Sequence, residues 1–226
     1  MVDKFKSIAL IAVKENSDRV PNKNIRPFSN TNLLELKIEQ IIKSQSVQKV
    51  VVSSESDTIM NIVKKYSDVI FHKRDPYYST NDVPMSEVYS YLASEVDSEL
   101  IMWVPVTNPL AGPHIYKDAM AQYKKLESGF DSLLSCVEVK DYLIKDEEPI
   151  NFTRFPWMKS QNLSGVKALS FVVNILKRND MIKWGSLVGL KPLFITLDSE
   201  VSIDIDFQSD FDYCEYLFKK NPGRYL

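Results

Sequence analysis

The apolar run Ser7–Val13, SIALIAV, passes without a break into the polar loop Lys14–Asn24, KENSDRVPNKN. The run has the length and β-branched content of a strand covered on both faces, which reads as continuous rather than alternating hydrophobicity. Such a strand belongs inside an open α/β sheet, where ligands bind at the loops leaving the carboxyl ends of the strands. This loop carries Lys14, Arg19 and Lys23 within ten residues, among the turn formers Asn16, Ser17, Asp18 and Pro21. Backbone N–H groups of such turns can cradle a polyphosphate while the cations neutralise it. A solvated basic surface loop is the competing reading.

The strand–helix alternation that such a sheet needs continues downstream. A helical stripe over Leu33–Ile42 places Leu33, Leu34, Leu36, Ile38, Ile41 and Ile42 mostly on one side. Lys49–Ser56 (KVVVSSES) reads as a buried strand entering a polar turn, and Ile59, Ile62 and Val63 mark the next helix. A short strand at Val69–Phe71, a helix at Ser86–Val96, a strand at Leu100–Val106 and a helix at His114–Leu126 complete the first half. Alternation of this kind predicts a parallel, doubly wound sheet.

The second half reads differently. Asp131–Val139, Val166–Leu176 and Leu193–Leu197 are strands, and Phe207–Lys219 is a closing helix. Residues 140–164 form a polar, aromatic stretch with little periodicity, a functional excursion or a subunit contact. In Ser202–Asp206 (SIDID), strand alternation sets Asp204 and Asp206 on one face and Ile203 and Ile205 on the other. Neighbouring carboxylates repel unless a cation lies between them, and hard oxygen donors suit Mg²⁺. A strand end feeding Asp206 into a helix N-cap is the alternative. Asp210 and Asp212 fit the first turn of the helix, where acids favour the dipole.

Bulk properties exclude several classes. With 226 residues, 44% hydrophobic and 26% charged, the chain suits one globular domain spanning 1–226. A net charge of −2 argues against a general nucleic-acid binder. Cys136 and Cys214 are too few and too far apart for a disulfide framework or zinc site, and His72 and His114 are not spaced as a metal pair. No apolar run reaches the roughly 18 residues of a membrane span. The N-terminal MVDKFKSIALIAV lacks a small-residue cleavage signature and reads as the first strand rather than a signal peptide. A cytoplasmic, reduced protein with no membrane partner is expected.

NSDRVPNKN after a buried strand, VVSSES after the second, VTNPL after a later one and SIDID before a C-terminal helix occur in that order. The set resembles the acylneuraminate cytidylyltransferases (CMP-sialic acid synthetases) and, more distantly, the CMP-Kdo synthetases, over Ile8 to about Phe218. The resemblance implies a three-layer, Rossmann-like, mostly parallel sheet with helices on both faces, of the nucleotide-diphospho-sugar transferase type. It implies transfer of CMP from CTP to the anomeric hydroxyl of an acidic keto-deoxy sugar for surface glycan biosynthesis, with release of pyrophosphate and Mg²⁺ as cofactor. It also implies a homodimer in which the 140–164 excursion reaches the partner's site.

Residue by residue, the resemblance assigns Lys14, Arg19 and Lys23 to the triphosphate and Asp204 and Asp206 to the metal. Val13, Asn24, Ser53, Arg74, Asn81 and Asp82 fall in its nucleotide site, with Arg74 as the cation near the base or phosphates. Thr107, Lys145, Arg154, Lys159, Gln161 and Ser170 are the acceptor-side candidates. Phe152, Phe155 and Trp157 could pack on a sugar face, with core or dimer packing the alternative.

Departures cluster at the acceptor end. Lys14 stands where the family has Arg, which keeps charge but loses the bidentate fork. Pro105 and Ala111 replace a Gln and an Arg, Ser170-Phe171 replaces an Asn before a small strand start, and Lys159–Leu163 replaces an Arg-rich turn. These substitutions leave two other readings open: a cytidylyltransferase for another acceptor, such as a different sugar acid or a phosphonate, and a non-catalytic nucleotide-binding relative.

Overall fold

The computed structural model describes residues 5–126, 129–163 and 165–226. The first strand, β1 (Phe5–Ala12), is the centre of the molecule, with Ile8, Ala9, Leu10 and Ile11 at most 1% exposed. Its side chains alternate between two apolar layers. Ala9 and Ile11 enter one core, and Ile8 and Leu10 the other. That is why the strand is apolar throughout.

Seven strands form the main sheet. After β1 come α1 (Leu33–Ser44), β2 (Lys49–Ser54), α2 (Asp57–Val63), β3 (Val69–Lys73), α3 (Met85–Ser94), β4 (Ser98–Trp103) and α4 (Pro113–Lys124). Then follow β5 (Ser132–Glu138), the hairpin β6 (Ile144–Lys145) and β7 (Glu148–Pro149), β8 (Lys167–Lys177), α5 (Arg178–Trp184), β9 (Pro192–Thr196) and α6 (Gln208–Lys220). The strand order is β3-β2-β1-β4-β8-β5-β9. Residues of α1, α2, α4 and α6 share the core of Ala9 and Ile11, while those of α3 and α5 pack with Ile8 and Leu10. Helices therefore cover both faces, the three-layer α/β architecture that the alternation predicts.

Helix starts follow from local chemistry. Asn32 caps α1 by accepting the Glu35 N–H at 2.9 Å, and Ser56, the last residue of VVSSES, caps α2 through Ile59 N–H at 3.3 Å.

Three features differ from the sequence expectation. Strand β8 runs antiparallel between β4 and β5. It bulges between its pairs Cys136↔Leu169 and Leu134↔Asn174, where Ser135 Oγ accepts from Ser170 Oγ (3.0 Å) and Val173 N–H (3.1 Å). Helix α5 has no counterpart in the sequence reading, because seven residues show barely two turns of periodicity. Ser202–Asp206 is not a strand but an irregular segment. Its burial still alternates, with Ile205 buried, Asp204 exposed and Asp206 half-buried.

The excursion adds the short hairpin and an aromatic cluster in which Tyr142 packs against Phe152 (5.3 Å) and Trp157 (4.9 Å). Ser164, at its end, lies outside the described residues, as do Met1–Lys4 of the N-terminal motif. Among the described residues no helix is long and apolar enough to cross a membrane.

Candidate active site

The sheet order reverses at the carboxyl ends of β1 and β4, the place where open α/β sheets bind ligands. A cleft of about 450 Å³ opens there, within the usual range for a small-molecule site. Its floor and one wall are the loop after β1, from Lys14 through Arg19 to Lys23; Glu55 and the Pro76–Asn81 segment form the other wall.

The first loop is shaped by its own sequence. Val20 is buried and anchors it, and Lys23 N–H donates to Val20 O at 3.2 Å. Asn22 takes a left-handed conformation (φ 51°), which Asn tolerates better than most residues, and its carbonyl accepts from Ile25 and Arg26. Asn24 Nδ2 donates to Lys14 O at 2.8 Å and closes the base of the loop, while Asn24 O accepts Leu34 N–H at 3.0 Å at the start of α1. Asn24 is thus a buried brace of the loop.

The three cations point into the cleft. Lys14 Nζ donates to Asn81 Oδ1 (3.1 Å) and Thr80 O (3.3 Å), and Asn81 Nδ2 donates to Asp18 Oδ2 (3.1 Å). Arg19 pairs with Asp206 at 2.7 Å and lies 5.7 Å from the Phe207 ring centroid. Lys23 Nζ donates to Ile205 O, between the two acids. Burial lowers the pKa of Lys23 from the ordinary lysine value, and the charges of Asp204 and Asp206 pull it back in part. The acidic segment is held from below: Ile205 N–H donates to Thr107 O (2.9 Å), and Asp210 Oδ2 accepts from Asp206 N–H (3.0 Å) and Phe207 N–H (2.7 Å). Phe207 is therefore the N-cap residue of α6, with Asp210 reaching back to its N–H.

The donor set fits a Mg²⁺ ion carried by a nucleotide. Asp204 and Asp206 supply two carboxylates, and among the described residues no cluster of three or more His, Cys, Asp or Glu could cage a metal alone. Mg²⁺ ordinarily takes one or two protein carboxylates and completes its shell with water and phosphate oxygens.

Several other candidates lie outside the lining of this cleft. Arg74 is turned inward, 3% exposed, with Nη2 donating to Val13 O (2.5 Å) and Ser53 O (2.6 Å). It ties the end of β2 to Val13, just past β1, and supplies the donor that the buried Val13 carbonyl needs. Val13 N–H also bonds Ser53 O at 3.0 Å, and Ser53 Oγ pairs with His72 Nδ1 at 3.0 Å, so neither side chain lines the cleft. Asp82 is exposed outside it. Arg74→Ala is expected to lower the unfolding free energy by about 2 kcal/mol, since the buried Val13 carbonyl loses its donor while Ser53 O keeps the Val13 N–H. Urea unfolding measures this, and a loss below about 1 kcal/mol would contradict the inward role.

On the acceptor side, Thr107 contributes its carbonyl, and Ser170 Oγ is engaged by Ser135 within the bulge. Lys145, Arg154, Lys159 and Gln161 belong to the excursion, and none lines the cleft. Arg154 is held by Glu148 (2.8 Å) and Glu147 O (2.7 Å). Phe155 and Trp157 are 91% and 64% exposed, so they pack into no core of this chain. The sequence reading omitted Ser79 and Thr80 as cleft residues. Ser79 Oγ bonds Glu55 Oε2 at 2.8 Å, and the signal was the Asp75-Pro76 start of a short turn after β3.

A three-layer sheet with cations and paired carboxylates meeting at its switch point defines the class of nucleotide-using α/β transferases. The sequence profile of a family described as cytidylyltransferase matches residues 8–153, and the chain belongs to that family. It is 22% identical to the post-translational flagellin modification protein B of Campylobacter coli, over 94% of this chain and 95% of that one. It is 24% identical to N-acylneuraminate cytidylyltransferase A of Danio rerio, over 92% of this chain but only 49% of that longer protein. The solved structure of CMP:2-keto-3-deoxy-manno-octonic acid synthetase complexed with CTP covers 96% of this chain and 99% of its own, with TM-score 0.67 at 10% identity. At that identity the likeness speaks for the fold.

Proposed function

We propose that this cytidylyltransferase moves CMP from CTP to the anomeric hydroxyl of an acidic keto-deoxy sugar of the sialic-acid type, with Mg²⁺ as cofactor and pyrophosphate as leaving group. One observation carries the reading: Lys14, Arg19 and Lys23 line one cleft, and the Asp204–Asp206 segment is tied to its edge by the Arg19–Asp206 pair and the Lys23–Ile205 bond. The relative that acts on N-acylneuraminate supports the acceptor class.

In this mechanism the protein positions groups and stabilises charge; little covalent work falls to it. Lys14, Arg19 and Lys23 hold the β- and γ-phosphates and offset the charge that builds on the departing pyrophosphate. Arg19 exchanges Asp206 for phosphate oxygens when the nucleotide enters, leaving Asp206 free beside Asp204 for the metal. Bound Mg²⁺ would polarise the phosphate and lower the pKa of an acceptor hydroxyl. Lys23, between acids and phosphates, serves as a cation.

The excursion supports a homodimer as part of the proposal. Ile144, Ile150, Phe155 and Trp157 are all more than half exposed on it, an apolar set that a second copy would cover.

The test is Mg²⁺-dependent pyrophosphate release from each of four NTPs, with keto-deoxy sugar acids and phosphonates as acceptors. Release with CTP and one sugar acid is the expected result. CTP binding without release in any pairing would leave a non-catalytic binder.

A further inference from the structure

Lys37 is the unusual side chain of the interior. It lies on α1, is 0% exposed, and among the described residues it has no carboxylate partner. Nζ donates to Asn108 O at 2.8 Å and to Tyr116 Oη of α4 at 2.5 Å, and it sits 5.0 Å from the Tyr116 ring centroid. Burial lowers the Lys37 pKa well below the ordinary value and raises that of Tyr116. An apolar residue would fill this place at less cost, since a buried polar group is expensive unless its bonds are needed.

Those bonds lead to the acidic segment. One helical turn on, Gln40 Nε2 donates to Pro109 O at 2.7 Å, so α1 grips the turn after β4 by two successive carbonyls. From that turn Asn108 Nδ2 donates to Ile203 O at 3.0 Å, and Thr107 O accepts Ile205 N–H at 2.9 Å. Residues 203–206 lie in no helix or strand. Their place is set largely by these bonds, together with those from Lys23 and Asp210.

We infer that Lys37 is a positioning residue: through Asn108 and Thr107 it fixes the turn on which the Asp204–Asp206 segment rests, and so sets the height of both carboxylates against the cations of the first loop. The inference rests on the function proposed above, in which those carboxylates hold the metal. It needs no contact between Lys37 and any ligand.

The test uses the full chain and Lys37→Met, which keeps the volume and removes the donor. Mn²⁺ binding at saturating CTP without acceptor, followed by electron paramagnetic resonance, reads the carboxylates apart from turnover, since Asp206 leaves Arg19 only when the nucleotide enters. Mn²⁺ affinity and kcat should each fall about tenfold, with KM for CTP changed less than about twofold, because the triphosphate cations belong to another loop. Asn108→Ala cuts the same path at its far end and should give the same split. The double variant should be no worse than the stronger single, the signature of one path. A folded Lys37→Met with wild-type Mn²⁺ affinity and kcat overturns the inference, as does a double variant whose losses simply add. If Lys37→Met does not fold, Asn108→Ala alone decides by the same split. If Asp206→Ala leaves Mn²⁺ affinity of the native chain unchanged, the metal reading itself falls and the inference with it.

Discussion

Asp206→Ala is expected to cut pyrophosphate release from CTP by about 100-fold or more while the chain stays folded. Asp206 is one of the two carboxylates of the 203–206 segment beside the cleft, paired with Arg19, and Lys23 feels both. On the proposed function, removing it would take a hard oxygen donor from a Mg²⁺ ion that has few protein ligands to begin with. The fold should be indifferent. The Asp206 side chain is 40% exposed, its one ion-pair partner Arg19 is 58% exposed, and the Asp206 N–H keeps its bond to Asp210. Exposed pairs of this kind contribute little to stability, so the urea midpoint should move by less than about 0.5 kcal/mol equivalent. Asp204→Ala should behave alike. Pyrophosphate release against Mg²⁺ concentration, set beside the unfolding curve, tests both halves. Activity near that of the native chain would refute the metal role, and joint loss of activity and fold would refute the separation of site from scaffold.

Lys23→Met should cost about 100- to 1,000-fold in kcat, because a preorganised cation facing the leaving group is removed. It should also change the pH profile. Burial holds the Lys23 pKa below 10.5, so its charge is lost at a lower pH than an ordinary lysine's, and native activity should fall there on the alkaline side. Lys23→Met should lack that limb. The stability sign is opposite to that of a favourable ion pair. With the folded pKa below the unfolded one, the unfolded chain binds more protons between the two values, so stability rises with pH across that window. The desolvation cost is fully present below the folded pKa, which means Lys23→Met should not destabilise the protein at neutral pH. A shared alkaline limb in native and variant profiles would assign it to another group.

Much of the fold was legible in local patterns. Ser7–Val13 announces a strand buried on both faces and Leu33–Ile42 announces α1; the caps Asn32 and Ser56 were added by the structure. The cationic loop and the SIDID carboxylates were readable for the same reason, since charge beside turn formers and spacing by two are local signals. The antiparallel β8 was not, because strand direction depends on which neighbours a strand meets, and its bulge is stitched by Ser135 from a different strand.

What the chain's order of residues determined by itself was the succession of strands and helices and the charged groups of the candidate site: three cations early in the cleft, two acids late beside it. Only the tertiary structure decided where each long polar side chain ends. Arg74 is assigned near the base or phosphates by the resemblance yet turns inward to the Val13 and Ser53 carbonyls, and Lys37, with its terminal amine, is sealed against Tyr116. Asn24 in the same way closes its own loop through Lys14 O. The physical reason is common to all three. A flexible polar side chain goes where a buried carbonyl can take a further donor, and such carbonyls come within its reach only once separate segments of the chain have been brought together.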